Sequence, residues 1–293
     1  METSLVMTGG TRGIGAAAVG ELLRRDPGLR MVLLARGDAR PGDRTTVVPV
    51  DLADRTSTRT AVATVRAMLA DGTLPPLRGI VGNAGVSLAD AIHATPDGLE
   101  TTFAVNVVAN HVLIAGLAPA LPGPGRVVIT VSDTHFGDFK HTFGTIPAPR
   151  WAEPAVLARP GAFPRPATAT AGRTAYSTSK LAAIYLVHEW ARRLPPGVDV
   201  VAHNPGLVPG TGLAREAGPV ARLLMGVLSP PMTLTPLADS VTAAGRKLAD
   251  VVLGATAAPT GSYVDRTAPA LSSGESYDPE RERALWEYLE RIR

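Results

Sequence analysis

The chain of 293 residues contains no cysteine. Disulfides, thiolate-ligated zinc and thiol nucleophiles are excluded with it, and a cytoplasmic setting is the expectation. Long apolar runs are also missing: no stretch supplies about 20 consecutive apolar residues, so no membrane span is expected. The opening Met-Glu-Thr-Ser runs into "LVMTGG" with no basic segment ahead of an apolar one, so no secretory leader is expected. Basic stripes are absent too. The net charge is +3 and the basic residues are scattered, which gives no support for a nucleic-acid partner. Lysine is scarce: Lys140, Lys180 and Lys247 stand among 29 basic residues, the rest being arginine. A lysine kept in such a chain marks a place where a compact, rotatable ammonium differs from a planar guanidinium.

What is present is alternation. Short apolar runs at 4–8, 30–35, 45–50, 78–83, 126–131, 198–203 and 261–264 read as strands. Segments at 14–25, 57–70, 97–120, 174–194, 238–253 and 279–292 have helical spacing. Strands alternating with helices of this length imply right-handed crossovers and a parallel sheet. No repeat or linker divides the chain, so residues 1–293 are expected to form one α/β domain. It would be doubly wound, with a mostly parallel seven-stranded sheet flanked by helices. Residues 136–172 break the rhythm with proline and glycine and read as a long irregular insertion.

"TGGTRGIG" (8–15) lies between the first strand and the first helix. Its glycines let the backbone approach a pyrophosphate, and the helix behind it points N–H groups and its positive end at the phosphates. Gly9, Thr11, Arg12, Gly13, Ile14 and Gly15 are the candidate cradle. An NAD site calls for an acid at the end of the second strand. This strand ends in Arg36, whose guanidinium suits a 2′-phosphate, and Arg12 could reach the same group. NADP(H) is therefore favoured over NAD(H); Asp38 stands close by, and the lesser alternative is that Arg36 is a solvated loop residue. Asp51, next to Leu52, could accept a bond from the adenine amino group or cap the following helix.

"AYSTSKLAA" (175–183) places Tyr176 and Lys180 four residues apart, on one face of a helix. A phenol ionises at about pH 10, and a nearby ammonium lowers that value toward the range useful for acid–base work. The same ammonium donates three bonds in any direction, which suits ribose hydroxyls. The alternative is a helix bearing a packed Tyr and a surface Lys.

Taken with the glycine turn, this pair resembles the short-chain dehydrogenase/reductase family. The resemblance extends through Asn83-Ala84-Gly85 after the fourth strand, Asn106 in "VNVVANH", Ser132 in "VITVSDTH" and Pro205-Gly206 in "NPGLV". It implies hydride transfer between a nicotinamide and a carbonyl or secondary alcohol. Tyr176 would exchange the proton, Ser132 orient the oxygen, Lys180 lower the Tyr pKa and hold the ribose, and Asn106 connect a relay to solvent. It also implies cofactor contacts from Asn83, Ala84, Gly85, Tyr176, Lys180, Pro205, Gly206, Val208 and Thr211. Reduction of an activated C=C or C=N bond is an alternative on the same scaffold. A non-catalytic NADPH-sensing protein is a further one, against which the retained Ser132, Tyr176, Lys180 and Asn106 all speak.

Tyr176 follows Ser132 by 44 residues, a long interval for the family. That interval and the ending "SYDPERERALWEYLERI" look like the branch holding retinol dehydrogenases and protochlorophyllide reductases. Residues 136–172 and 207–235 follow the fifth and sixth strands and are expected to overhang a lipophilic, ring-bearing small molecule. Asp133, His135, Phe136, Phe143, Leu207 and Leu224 are the candidate contacts, with Phe139 and Trp151 nearby. The apolar segment 220–228 is a lid or a docking face for a second subunit. His135 and His141 lack partner carboxylates at metal-ligand spacing, so no metal is expected. Members of the family pair through the helices bearing Asn106 and Tyr176. This implies a homodimer or homotetramer, with a monomer left open by the insertion.

Overall fold

The computed structural model describes residues 1–37, 42–209 and 238–293. The strands are β1 (Thr3–Thr8), β2 (Leu29–Ala35), β3 (Thr45–Pro49), β4 (Leu77–Gly82), β5 (Gly125–Thr130), β6 (Val198–Asn204), β7 (Tyr263–Asp265) and β8 (Ala268–Ala270). They form one sheet in the order β3-β2-β1-β4-β5-β6-β7-β8, parallel at every junction except β7–β8. From β1 the chain steps outward to β2 and β3, then returns to place β4 on the other side of β1. That reversal opens a crevice at the carboxyl ends of β1 and β4, where α/β sheets take ligands.

Helices cover both faces, so the inner strands are continuous apolar runs rather than alternating ones: Leu5, Val6 and Met7 are all buried. One face carries α1 (Gly13–Arg25) and α7 (Val241–Leu253). The other carries α2 (Arg55–Ala70), α3 (Thr101–Ala120) and α6 (Ala169–Ala191). Two short helices, α4 (Phe139–Thr142) and α5 (Pro154–Leu157), interrupt the insertion, and α8 (Pro279–Ile292) closes the chain. Among the described residues, only α3 is long and apolar enough to cross a membrane. It lies mostly buried, as a core helix does.

The sheet has eight strands where the sequence predicts seven. The eighth is three residues around Pro269 at the sheet edge, where a proline costs no ladder bond and the sequence gives no strand signal. Helix starts differ for a local reason, the caps. Asp54 accepts from the backbone N–H groups of Thr56 and Ser57, so α2 begins at Arg55, and the cap is Asp54 rather than Asp51. Glu100 accepts from Thr102 and Phe103 and starts α3. Thr168 accepts from Ala171 and starts α6 five residues ahead of the predicted position.

The insertion is folded. Its far half brackets the β4–α3 connection through Ala91 N–H to Pro166 O (2.8 Å), Gly161 N–H to Ala91 O (2.7 Å) and Glu100 N–H to Ala158 O (2.8 Å). Leu157, Ala158 and Phe163 join the core.

Every residue of α6 from Thr174 to Val187 is buried. The outer flank is covered by this chain itself. Trp151 meets Tyr185 edge to face at 4.8 Å, and the Tyr185 hydroxyl donates to Glu275 O at 2.6 Å. Helix α8 docks beside them: Glu282 accepts from His188 Nδ1 (2.6 Å) and pairs with Arg192, while Trp286 packs on Trp190 at 4.9 Å. On α3, His111 Nε2 donates to Glu290 at 2.9 Å. Trp151 therefore packs into this flank and does not overhang the crevice.

Candidate active site

Four strand ends supply the site. After β1, Gly9 (φ +66°) and Gly13 (φ +55°) take left-handed backbone conformations that favour glycine. A Cβ on Gly15 would lie 2.0 Å from Gly9 O, so this glycine lets the helix close onto the turn; a Cβ on Gly13 would meet nothing within 4 Å. No side chain caps the start of α1. Its first N–H groups thus face the turn as donors for an anion. Asn83, after β4, ties the turn down. Its Nδ2 donates to Gly9 O at 3.1 Å and its Oδ1 accepts from Thr130 Oγ1 at 3.3 Å, while Ala84 N–H donates to Thr8 Oγ1 at 3.1 Å. This bracing leaves a backbone cradle open on one side, which fits a dinucleotide pyrophosphate.

Helix α3 widens into a single π turn, Ala104–Val108, centred on Asn106. Such turns cluster at functional sites. The Asn106 side chain accepts from Val86 N–H (2.9 Å) and donates to Val86 O (3.0 Å) and Ser179 Oγ (2.9 Å), while its main-chain carbonyl accepts from Asn110 Nδ2 at 2.9 Å. Asn106 thus links α3 to α6 and to the loop after β4.

Ser132 begins the turn that follows β5. Its hydroxyl donates to Asp133 Oδ1 at 3.3 Å and accepts from Thr134 N–H at 3.3 Å. The Tyr176 phenol lies near the same hydroxyl, which acts to lower its pKa. Tyr176 is 7% exposed and Lys180, one turn along α6, is 4% exposed. The Lys180 ammonium donates to Thr130 O at 3.1 Å and lies 5.5 Å from the centre of the Tyr176 ring. Burial lowers the Lys180 pKa from 10.5 to about 8. Burial also pushes Tyr176 up to about 12; the nearby Ser132 hydroxyl works against that and the Asp133 charge adds to it. The sequence leads one to expect a Tyr176 pKa below the usual value; burial raises it instead. Tyr176 holds its proton at neutral pH.

Asp133 is itself raised by burial, opposed first by the Ser132 bond and the nearby His141, with Asp265 adding to the rise. His135 is wholly committed to the protein. Its Nδ1–H donates to Ser132 O at 2.6 Å and its Nε2 accepts from Ser273 N–H at 3.1 Å, which fixes the neutral tautomer; burial lowers its pKa to about 4. It braces Ser132 and offers no free nitrogen to a substrate, contrary to its reading as a contact residue. Phe136 stacks on His141 at 3.8 Å and, with His135, lines a cavity of about 360 Å3 walled by Pro149 and Ser272–Glu275. Phe139 and Phe143 are 74% and 52% exposed and meet edge to face at 6.5 Å.

Past β6, Asn204 Oδ1 accepts from Gly206 N–H at 3.1 Å and Asn204 Nδ2 donates to Asp265 at 2.9 Å, which shapes the Pro205-Gly206 turn (φ +74° at Gly206). Leu207 is partly exposed and Val208 buried beside it.

Residues 3–142 match the family model for short chain dehydrogenases. The match runs from the glycine turn through Asn83, Asn106 and Ser132, and Tyr176 and Lys180 complete the set on α6. The match supports a place in the short-chain dehydrogenase/reductase family. It is 25% identical to a short-chain dehydrogenase of Talaromyces variabilis, over 97% of this chain and 93% of that one. It is 28% identical to chloroplastic protochlorophyllide reductase B of Hordeum vulgare, over 98% and 78% of the two chains. A solved structure, a blue fluorescent protein from a metagenomic library in complex with NADPH, matches with TM-score 0.58 and 25% identity, over 90% of this chain and 95% of that one.

The short-chain dehydrogenase/reductase arrangement accounts for where the remaining candidates fall. Arg36 is exposed at the end of β2. Asp51 is exposed past β3, with Oδ1 accepting from Ala53 N–H at 3.0 Å and Leu52 packed against the core beside it. Gly85 sits where Asn106 Oδ1 and Lys180 Nζ converge, each 3.3 Å from the position a Cβ would take. Asp38, Thr211, Leu224 and the segment 220–228 lie outside the described residues. Thr130, Thr8, Ser179 and Arg266, which crowds Gly206, escaped the sequence reading. Ser179 alone had a visible signal, its place inside "YSTSK".

Proposed function

We propose that this oxidoreductase uses NADPH to reduce the carbonyl of a lipophilic, ring-bearing small molecule, and oxidises the corresponding alcohol in reverse. The observation that carries the reading is the enclosed pair on α6, the buried Tyr176 phenol with the Lys180 ammonium 5.5 Å from its ring centre and bonded to Thr130 O. The turn Gly9–Gly15 would hold the pyrophosphate, Lys180 the ribose hydroxyls, Asp51 the adenine amino group and Pro205–Val208 the nicotinamide side. When bound, the cofactor supplies the hydride. Tyr176, protonated at neutral pH, gives its proton to the substrate oxygen, and Ser132 orients that oxygen. Asn83 and Asn106 keep the turn and α6 in register through the bonds described above.

Arg36 stands where a 2′-phosphate would lie, which favours NADPH; the NADPH-bound structural relative agrees with this preference. A second reading, reduction of an activated C=C bond, draws on the likeness to protochlorophyllide reductase. Product analysis separates the two. The covered flanks of α3 and α6 favour a monomer over the homodimer or homotetramer implied by family habit. The absence of cysteine accords with a cytoplasmic location.

Three outcomes are expected. With a panel of cyclic ketones, Tyr176→Phe should lower turnover by about 10²–10⁴-fold while NADPH still binds; full activity would refute the assignment. Arg36→Asp should raise the KM for NADPH at least about tenfold and leave that for NADH nearly unchanged, since charge-assisted bonds to the phosphate are lost. Equal changes for the two cofactors would refute the preference. Sedimentation equilibrium should report one 30.4 kDa chain, and a dimer at micromolar concentration would show that α8 does not block pairing.

A further inference from the structure

Arg266 holds a backbone conformation to which arginine is poorly suited. Its φ is +55°, in the left-handed region that favours glycine. It stands at the corner between β7 and β8, where Asp265 pairs with Ala268. Thr267 N–H donates back to Asp265 O at 2.6 Å, which closes a three-residue turn around Arg266. Three-residue turns with a positive φ at the centre are rare and strained. Glycine is the residue that takes the first corner position of such a hairpin without strain. The chain nevertheless keeps an arginine there.

The Arg266 side chain lies across Gly206. A Cβ on that glycine would fall 2.5 Å from Arg266 Nε, 3.3 Å from Cζ and 3.4 Å from Cδ. Gly206 is itself left-handed (φ +74°), so both its backbone and the guanidinium above it call for glycine. Hydrogen bonds set the corner and the Pro205-Gly206 turn in register. Arg266 N–H donates to Asn204 O at 2.9 Å, and His203 Nε2–H donates to Arg266 O at 3.3 Å. Asn204 Nδ2 donates to Asp265 Oδ1 at 2.9 Å, while Asn204 Oδ1 accepts from Gly206 N–H at 3.1 Å.

We propose that Arg266 is a positioning residue: laid across Gly206, it holds the Pro205-Gly206 turn in place for the nicotinamide half of the cofactor. The proposal rests on the reading of that turn as the nicotinamide side. Strain of this kind persists only where the surrounding structure over-determines it, and the bonds around Asn204 do so here. The strained corner is what aims the side chain at the turn. The other end of the cofactor is out of its reach. Arg36 follows β2, and β7 lies five strands away in the sheet, roughly 24 Å at about 4.8 Å per strand.

Arg266→Gly separates this role from one of supporting the fold. It removes the side chain and relieves the left-handed strain, so the melting temperature should stay level or rise. NADPH affinity, read by calorimetry, should nonetheless fall about five- to tenfold, because the turn must then be ordered on binding. Affinity for 2′,5′-ADP, which carries the adenine and the 2′-phosphate but no nicotinamide, should not change. An unchanged NADPH affinity would overturn the proposal. A lowered melting temperature with an equal loss for both ligands, the mark of a residue that only supports the fold, would overturn it as well.

If the wild type binds neither ligand, the reading of the cofactor site fails on its own. The turn is then read by hydrogen exchange over residues 204–208, where Gly206 N–H is bonded to Asn204 Oδ1. Faster exchange there in Arg266→Gly, with residues 9–15 unchanged, supports the proposal. The same exchange in both proteins overturns it.

Discussion

The site depends on one enclosed charge. Lys180 sits on a helix with no exposed face along its middle, and its described hydrogen bond is to a single carbonyl, Thr130 O. Burial lowers its pKa by about two and a half units. At about 1.4 kcal/mol per unit this is roughly 3 kcal/mol that the fold spends on keeping an ammonium there. An arginine would not serve. Its planar fork cannot turn three donors toward partners in different directions, and it does not approach neutrality at accessible pH. The one lysine that the chain places on α6 is thus explained by the geometry around it.

Around that charge the other elements act as braces. Asn83 joins β1, β4 and β5 through Gly9 and Thr130, and Thr130 in turn receives Lys180. Asn106 joins α3 to α6 through Ser179. His135, held neutral between Ser132 and Ser273, ties the catalytic turn to the segment ahead of α8. Each brace uses a buried or half-buried polar group with defined partners, the condition under which such groups specify one arrangement. The same logic closes the outside of α6. Trp151 from the insertion and Trp286 from α8 cover its flanks.

Much of this was legible in the sequence, because the informative residues act locally. Gly9, Gly13 and Gly15 are read from spacing; the structure gives Gly9 and Gly15 close neighbours that a Cβ would strike, and Gly13 a left-handed backbone. Tyr176 and Lys180 are read from one helical turn. The parts that were not legible depend on neighbours distant in sequence. No pattern signals that Ser273 would accept His135 as partner, or that Glu282 would meet Arg192 across 90 residues. The rise of the Tyr176 pKa was not legible for the same reason: the desolvation behind it comes from helices and loops packed on every side, which a spacing argument does not see. Strand β8 was missed because three residues around a proline carry no periodicity.

The central claim is that Lys180 is held ready for oxygen acceptors that a dinucleotide ribose provides. Calorimetry of NADPH binding in buffers of different ionisation enthalpy tests it directly, because it counts protons taken up on binding. Free Lys180, with a pKa of about 8, is mostly neutral at about pH 9. Ribose hydroxyls that accept from the ammonium should restore its charge, so binding at that pH should take up close to one proton per NADPH. The uptake should vanish in Lys180→Met. No proton uptake in the wild type, or the same uptake in the variant, would contradict the account.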